Sequence, residues 1–278
     1  MRAMRLGLAR SRVELRHIFT MPAELVQHFV PIVVFMVVMV FLRFVPMAGS
    51  TVSLGTVILV SVLGSSLCSS SLTLMTQGLA ADREDGTLLR AKAVPNGMPA
   101  YLIARTLVSS CFALIGVGLL LVYGLLLFDD VAWPGIGGWL KFVAVTVLGL
   151  TATLTIGAVL GSLFPNARVS AVIAIPILAL SGISGILFPI TVLPEWVQWI
   201  AQVFPMYWLG LGMRSVLLPD SALVAEIGQS WRGWETFAVL GVWAVVGLAL
   251  APAVLRRMAR RTSGSTVPSQ GKAMQRVG

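Results

Sequence analysis

The chain has 278 residues, of which 57% are hydrophobic and only 11% charged, with a formal net charge of +9. An ordinary soluble domain carries about 25% charged residues, so there is too little charge to cover a water-facing surface, and soluble, disordered and fibrous classes are excluded. A mean hydropathy of +0.92 and repeated long apolar stretches specify an all-α polytopic membrane protein instead.

Residues 1–20, MRAMRLGLARSRVELRHIFT, carry five arginines and no continuous apolar core, so they do not read as a cleaved leader. At helical spacing Met4, Leu8, Leu15 and Phe19 share one side. Arg5, Arg12 and Arg16 take another, with Arg10, Glu14 and His17 beside them. The pattern predicts a basic amphipathic helix on the inner membrane surface, assigned to residues 1–25. A six-span transmembrane domain is assigned to residues 26–258, with spans near 26–45, 54–77, 100–128, 139–163, 169–187 and 234–255. Residues 259–278 form a basic, polar cytoplasmic tail expected to be disordered.

An even number of spans puts both termini on one side. Every Lys and Arg except Arg43, Lys141, Arg214 and Arg232 then falls on that side, which the positive-inside rule makes cytoplasmic. Trp133, Trp139, Trp196, Trp199, Trp208, Trp231 and Trp234 lie in or beside outer segments, at the level where indole rings favour headgroups. The basic excess therefore reads as membrane topology and not as a nucleic-acid surface. Cys68 and Cys111 fall in apolar runs, without metal-site spacing or a disulfide context.

Several chemistries lack their residues. No Asp, Glu or His lies deep in any span, which argues against a proton-coupled transporter. No cluster has the ligands of a catalytic metal, and no His or Lys base accompanies an intramembrane Ser. No G-x-x-x-x-G-K-[ST] loop occurs, so the chain has no Walker A site. Catalytic and metal-binding residues are thus assigned to none. The spans are rich in small and hydroxylated residues instead. Ser65, Ser66, Ser69, Ser70, Thr73 and Gln77 cover more than one face of the second span, and Gly149, Thr153, Gly157 and Gly161 form a row on the fourth. Either set suits close helix packing, or a substrate pathway or subunit seam. The serines, with Ser181 and Ser184 of the fifth span, are the better pathway candidates.

Two further segments stand out. After the second span, Asp82, Glu84 and Asp85 precede Gly86, and Thr87 is placed to cap a short helix over Leu88–Val94 that Pro95 ends. So short a helix must dock on something. Leu88 and Leu89 offer apolar anchors, and Arg90 and Lys92 offer charge. Between the fifth and sixth spans, Pro189, Pro194 and Pro205 break any single span. Pro194 opens a helix with Glu195 in its first turn, whose Trp196, Trp199 and Ile200 form an apolar face expected to anchor against the spans. Residues 206–218 are too few to cross the bilayer, so the segment reads as a re-entrant helical hairpin on the outer side. Arg214 is expected to pair with Glu195 or to reach headgroups.

These two segments resemble the membrane subunit of type-2 ATP-binding-cassette exporters. The first pattern is carried by Glu84, Asp85, Gly86, Thr87 and Pro95. The second is carried by Ser184, Gly185, Phe188, Pro189, Leu193, Pro194, Trp196, Pro205 and Arg214. The resemblance covers about residues 1–258 and is greatest to the bacterial drug and antibiotic-resistance efflux branch. It implies a multi-pass protein of the bacterial inner membrane, in which two permease subunits, identical or related, bind two ATPase subunits. Glu84, Asp85, Gly86, Thr87, Leu88, Leu89, Arg90 and Pro95 would form the ATPase-coupling segment. Phe188, Pro189, Pro194, Glu195, Trp196, Pro205 and Arg214 would form an outer gate. Ser65, Ser66, Ser69, Ser70, Thr73, Ser181 and Ser184 would line the pathway of an amphiphilic substrate, such as a drug, an antibiotic or a lipid. ATP and Mg would belong to the partner ATPase, and this chain would hold no cofactor. Lipid or polysaccharide export, a non-transporting membrane scaffold, and a bacteriocin or lipid-modifying membrane enzyme are the alternatives.

The topology has a direct test in single cysteines placed in a Cys68→Ala, Cys111→Ala background. A cysteine at Ser221 is expected to react with an impermeant maleimide in intact cells, and one at Asn96 only after the cells are opened. The opposite order would invert the assignment.

Overall fold

The computed structural model describes residues 2–20, 22–47, 49–164 and 166–261. The tail beyond 261 lies outside the described residues. Among those described, every long element is a helix, and the one β pairing is an isolated bridge between Pro46 and Ser53. In chain order the helices are α1 (Arg2–Thr20), α2 (Pro22–Leu42), α3 (Leu54–Glu84), α4 (Thr87–Lys92), α5 (Gly97–Leu127), α6 (Ile136–Leu163), α7 (Ala167–Ser170), α8 (Ala174–Ile183), α9 (Glu195–Val203), α10 (Pro205–Leu217) and α11 (Gly233–Arg261). The all-α polytopic class expected from composition is the observed one.

Among the described residues, four helices are long and apolar enough to cross a bilayer: α3, α5, α6 and the Gly233–Ala251 part of α11. Of the other two expected spans, α2 runs over Pro22–Leu42, with His28–Leu42 its apolar stretch among the described residues. The fifth span is not one helix, because α7 and α8 are joined by a 3-10 turn over Ala171–Ile173. Pro176 accounts for the break. It lacks an N–H, and its ring crowds the carbonyl four residues earlier, at Val172.

Helix α3 is the centre of the packing, with α2, α5, α6 and α10 against it. Small residues set how close these neighbours come. A Cβ on Gly64 of α3 would lie 2.5 Å from the backbone nitrogen of Gly210 in α10, and one on Gly161 of α6 would lie 2.8 Å from the Thr76 carbonyl. Thr153 of α6 meets Ser71 of α3 at 2.6 Å. The Gly149, Thr153, Gly157 and Gly161 row therefore seats α6 on α3 and α10, which is the packing role and not a subunit seam.

Helix α10 is buried almost throughout, although its 13 residues are too few to span. Pro205 starts it at a position where no N–H is needed, and Leu218 in extended conformation followed by Pro219 stops it. It lies among α3, α6 and α11 at the end of the bundle opposite α4. Its Arg214 is 2% exposed and forms an ion pair with equally buried Glu226, Nε to Oε1 at 2.5 Å. The guanidinium also donates to the Ser61 hydroxyl of α3 at 2.9 Å and to the Gly185 carbonyl at 3.3 Å. The expected pairing with Glu195 is not formed, nor does Arg214 reach the surface. Glu195 is exposed at the start of α9, whereas Glu226 faces the guanidinium from the loop before α11.

Removing one member of a buried pair leaves the other charge without a partner, at a cost of about 3–5 kcal/mol. Glu226→Leu is therefore expected to lower the unfolding temperature of the purified chain in nanodiscs markedly. Adding Arg214→Met should recover more than half of the loss. A double variant no more stable than the single one would show that the pair is not what holds this region.

Candidate substrate cavity and coupling face

A cavity of about 680 Å³ lies along α3, bounded by α2, one residue of α5 and the chain around α8. Six of the seven expected pathway residues line it: Ser65, Ser66, Ser69, Ser70, Thr73 and Ser181. Gln77 joins them. Ser184 does not; it is fully buried just before the Gly185 turn, and its hydroxyl has no hydrogen-bond partner. The cavity falls in the size range of small-molecule sites.

The serine hydroxyls divide by the direction each takes from α3. Ser61 and Ser71 point into the bundle, to Arg214 and Thr153. Ser65, Ser66 and Ser69 donate back to their own helix, to the carbonyls of Val62, Leu63 and Ser65, at 3.3, 3.1 and 2.8 Å. Their donors are thus satisfied without a neighbouring helix, and their lone pairs stay available. Among the described residues no protein group bonds the side chains of Ser70, Thr73 or Gln77. The α2 wall, with Pro31, Ile32 and Phe35, was not singled out in the sequence. Apolar residues at that spacing look alike whether they face lipid or a cavity.

At the other end of α3, the short helix α4 sits between two residues in left-handed conformation, Gly86 at φ 72° and Asn96 at φ 59°. These turns reverse the chain on each side of it. Two details differ from expectation. Gly86, not Thr87, occupies the position before the helix, and no side chain caps it; the helix ends at Lys92, before Val94. Leu88 is also not a docking anchor. It is 3% exposed and belongs to the chain's own core, as does Ala91, so it holds α4 onto the bundle. Leu89, at 38% exposure, faces outward with Arg90, Val94 and Pro95, and Glu84 and Asp85 are exposed beside them. Arg90 donates to the Asp85 carbonyl at 3.1 Å, which ties the turn to the helix.

Helix α1 packs on the same end of the bundle. Glu14 pairs with Arg105 of α5 at 2.9 Å, and Arg105 also donates to the Leu74 carbonyl of α3 at 3.0 Å. The Arg10 guanidinium lies 4.9 Å from the centre of the Tyr101 ring, whose hydroxyl donates to Asp82 at 2.6 Å. The face of α1 turned to the protein carries Gly7, Ser11 and Glu14. Of the expected apolar side, Met4, Leu8 and Phe19 are exposed and Leu15 is half-buried.

The hairpin is present, with its helical arms differently disposed than expected. Phe188 is exposed, Pro189 precedes a 3-10 turn over Ile190–Val192, and Pro194 immediately precedes α9. Trp196 and Trp199 are 66% and 72% exposed, so they do not anchor α9 to the spans; Val197 and Ala201 do. Beneath α9, Arg232 donates to the Gln202 side chain at 2.8 Å and to the Tyr207 hydroxyl, and its guanidinium lies 4.9 Å from the Trp208 ring centre. The Glu226 and Arg232 partnerships were not foreseen, because both residues sit in an irregular loop where sequence spacing predicts no contact.

Long apolar helices, a cavity on α3 and a short outward-facing helix beside α3 together define a membrane transport subunit. The family model for the ABC-2 family transporter protein matches residues 24–252, most of the chain, and the protein belongs to that family. No curated protein matches the sequence. Membership makes the chain a multi-pass subunit of an ABC transporter, and an ABC ATPase is the partner that such a subunit implies.

The cavity geometry has its own check. In a background without native cysteines, a cysteine at Thr73 is expected to react with a small methanethiosulfonate reagent at least tenfold faster than one at Ser71. Equal rates would place the cavity wall on the wrong face of α3.

Proposed function

We propose that the protein is the translocating subunit of an ATP-driven exporter, carrying an amphiphilic substrate of drug, antibiotic or lipid-like character out of the cell. Two copies, or this chain and a related permease, bind two ATPase subunits. ATP and Mg are used in those partners. This chain's own residues bind and move the substrate without covalent chemistry. The termini and α4 face the cytoplasm, and the hairpin of α9 and α10 faces outward, in keeping with the basic residues gathered at the α4 end.

The observation that carries this reading is the continuity of α3. One unbroken helix of 31 residues forms the cavity wall and ends three residues before α4 begins. At 1.5 Å per residue it is about 46 Å long. A displacement of α4 by an ATPase is delivered to Gln77, Thr73 and Ser70 through the packing of α4 on the bundle and a two-residue turn, Asp85–Gly86. Leu88, Ala91 and the Asp82–Tyr101 and Glu14–Arg105 contacts make α4, α3, α5 and α1 one block at this end. At the far end, α10 is fixed to α3 through Arg214 and Ser61, so tilting α3 also carries the outer hairpin. Alternating exposure then follows from movement of packed helices and needs no local unfolding.

Leu89→Asp separates docking from folding, since Leu89 is exposed and Leu88 is core. A carboxylate enclosed in an apolar groove lacks a partner there and is costly. The variant is expected to accumulate normally while retaining less than about a tenth of the ATPase subunit on purification. ATPase recovery at the wild-type ratio would remove α4 as the coupling element.

A further inference from the structure

The walls of the α3 cavity differ in chemistry. Ser66, Ser70, Thr73 and Gln77 all line it, at spacings of four, three and four residues, which is one stripe of a helix. The stripe is about 16 Å long at 1.5 Å per residue. The other walls are largely apolar, with Ile32 and Phe35 from α2 and Ile186 and Leu187 from the chain after α8, and His28 of α2 and Ser181 of α8 are their polar members. Among the described residues, none of those lining the cavity is Asp, Glu, Lys or Arg. Three members of the stripe, Ser70, Thr73 and Gln77, have no protein partner among the described residues, so donors and acceptors both stay open.

We propose that this cavity selects a neutral molecule that is amphiphilic across its width, with hydroxyl or amide groups spaced along one edge and an apolar opposite face. The proposal rests on the cavity being the exporter's substrate site, and it names the class of substrate. A lipid with one head and a long tail satisfies one end of the stripe and lays alkyl chain against the rest, dehydrating polar groups without replacing their hydrogen bonds. A cationic amphiphile brings a charge that no carboxylate among the described lining residues meets. A polyol edge matches the stripe group for group, and its apolar face covers Ile32, Phe35 and Leu187. Orientation is thereby fixed about the long axis of the ligand, since turning it over would place hydroxyls on the apolar wall.

The test uses the full chain in nanodiscs and two uncharged steroid probes with one ring skeleton. One is a triol with all hydroxyls on one face, and the other is its monohydroxy counterpart. Equilibrium binding should favour the triol about tenfold, the yield of two added hydrogen bonds of ordinary net strength. The near-isosteric Ser70→Ala, Thr73→Val, Gln77→Leu variant should bring the two affinities within about twofold, chiefly by weakening triol binding. Gln77→Leu alone gives the same test with a smaller change, should the triple variant accumulate poorly. Equal affinities in the wild type, an unchanged ratio in the variants, or tighter binding of dodecyltrimethylammonium than of the triol would each overturn the proposal. The ratio is measured without nucleotide or ATPase, so its failure leaves the export reading standing. The coupling part of that reading is tested separately, by the docking result at Leu89.

Discussion

One guanidinium organises the half of the molecule that is not made of long helices. Arg214 reaches Glu226 at 2.5 Å, Ser61 at 2.9 Å and the Gly185 carbonyl at 3.3 Å. Those partners come from the loop before α11, from α3 and from the turn after α8. Irregular backbone is tolerated within a membrane only where protein covers it and satisfies its polar groups. The Gly185 carbonyl lies at such a turn, where the positive φ of 68° ends the regular run of α8. A buried pair gains little net stability over apolar packing, because desolvation offsets most of the attraction. Its consequence here is registration: α10, the two loops and α3 can meet in only one relative position.

That registration makes α3 the common element of every working part. Its inward face carries Ser61 and Ser71, bonded to Arg214 and Thr153. Another face carries the polar stripe of the cavity. Its last turns carry Asp82, bonded to Tyr101, and lead directly to α4. The hydroxyls that donate back to their own helix add no demand for a partner, so α3 keeps a polar cavity face without binding a neighbour there. Close approach is reserved for the opposite side, where Gly64 meets α10 and where Gly157 and Gly161 of α6 meet α3.

What could be read in advance depended on how local the signal was. The all-α class follows from apolar runs, and the hairpin from Pro189, Pro194 and Pro205, each a backbone constraint that acts where it stands. The short helix α4 was legible from Gly86 and Pro95 for the same reason. Side-chain direction was less legible. Leu88 and Leu89 are equivalent in composition, yet one is core and the other surface. Trp196 and Trp199 form an apolar face that turns away from the bundle, because in a membrane protein such a face suits lipid as well as protein. Ser70 and Ser71 are neighbours of identical chemistry, separated only by the angle that α3 gives them. Glu226 lay beyond reach altogether, since its partner is set by the path of an irregular loop. Pro176 was a local signal that an apolar run concealed.

The central claim is that α3 acts as a rigid lever between α4 and the cavity. Replacing Ala80 and Ala81 by glycine weakens the helix between Gln77 and α4, at about 1 kcal/mol per substitution, without touching the cavity lining or the exposed face of α4. The measurement is ATP-driven substrate movement per ATP hydrolysed in vesicles containing the complete complex. The lever predicts that the variant keeps its ATPase and hydrolyses ATP, while movement per ATP falls severalfold. Wild-type movement per ATP in a complex of normal composition would contradict it.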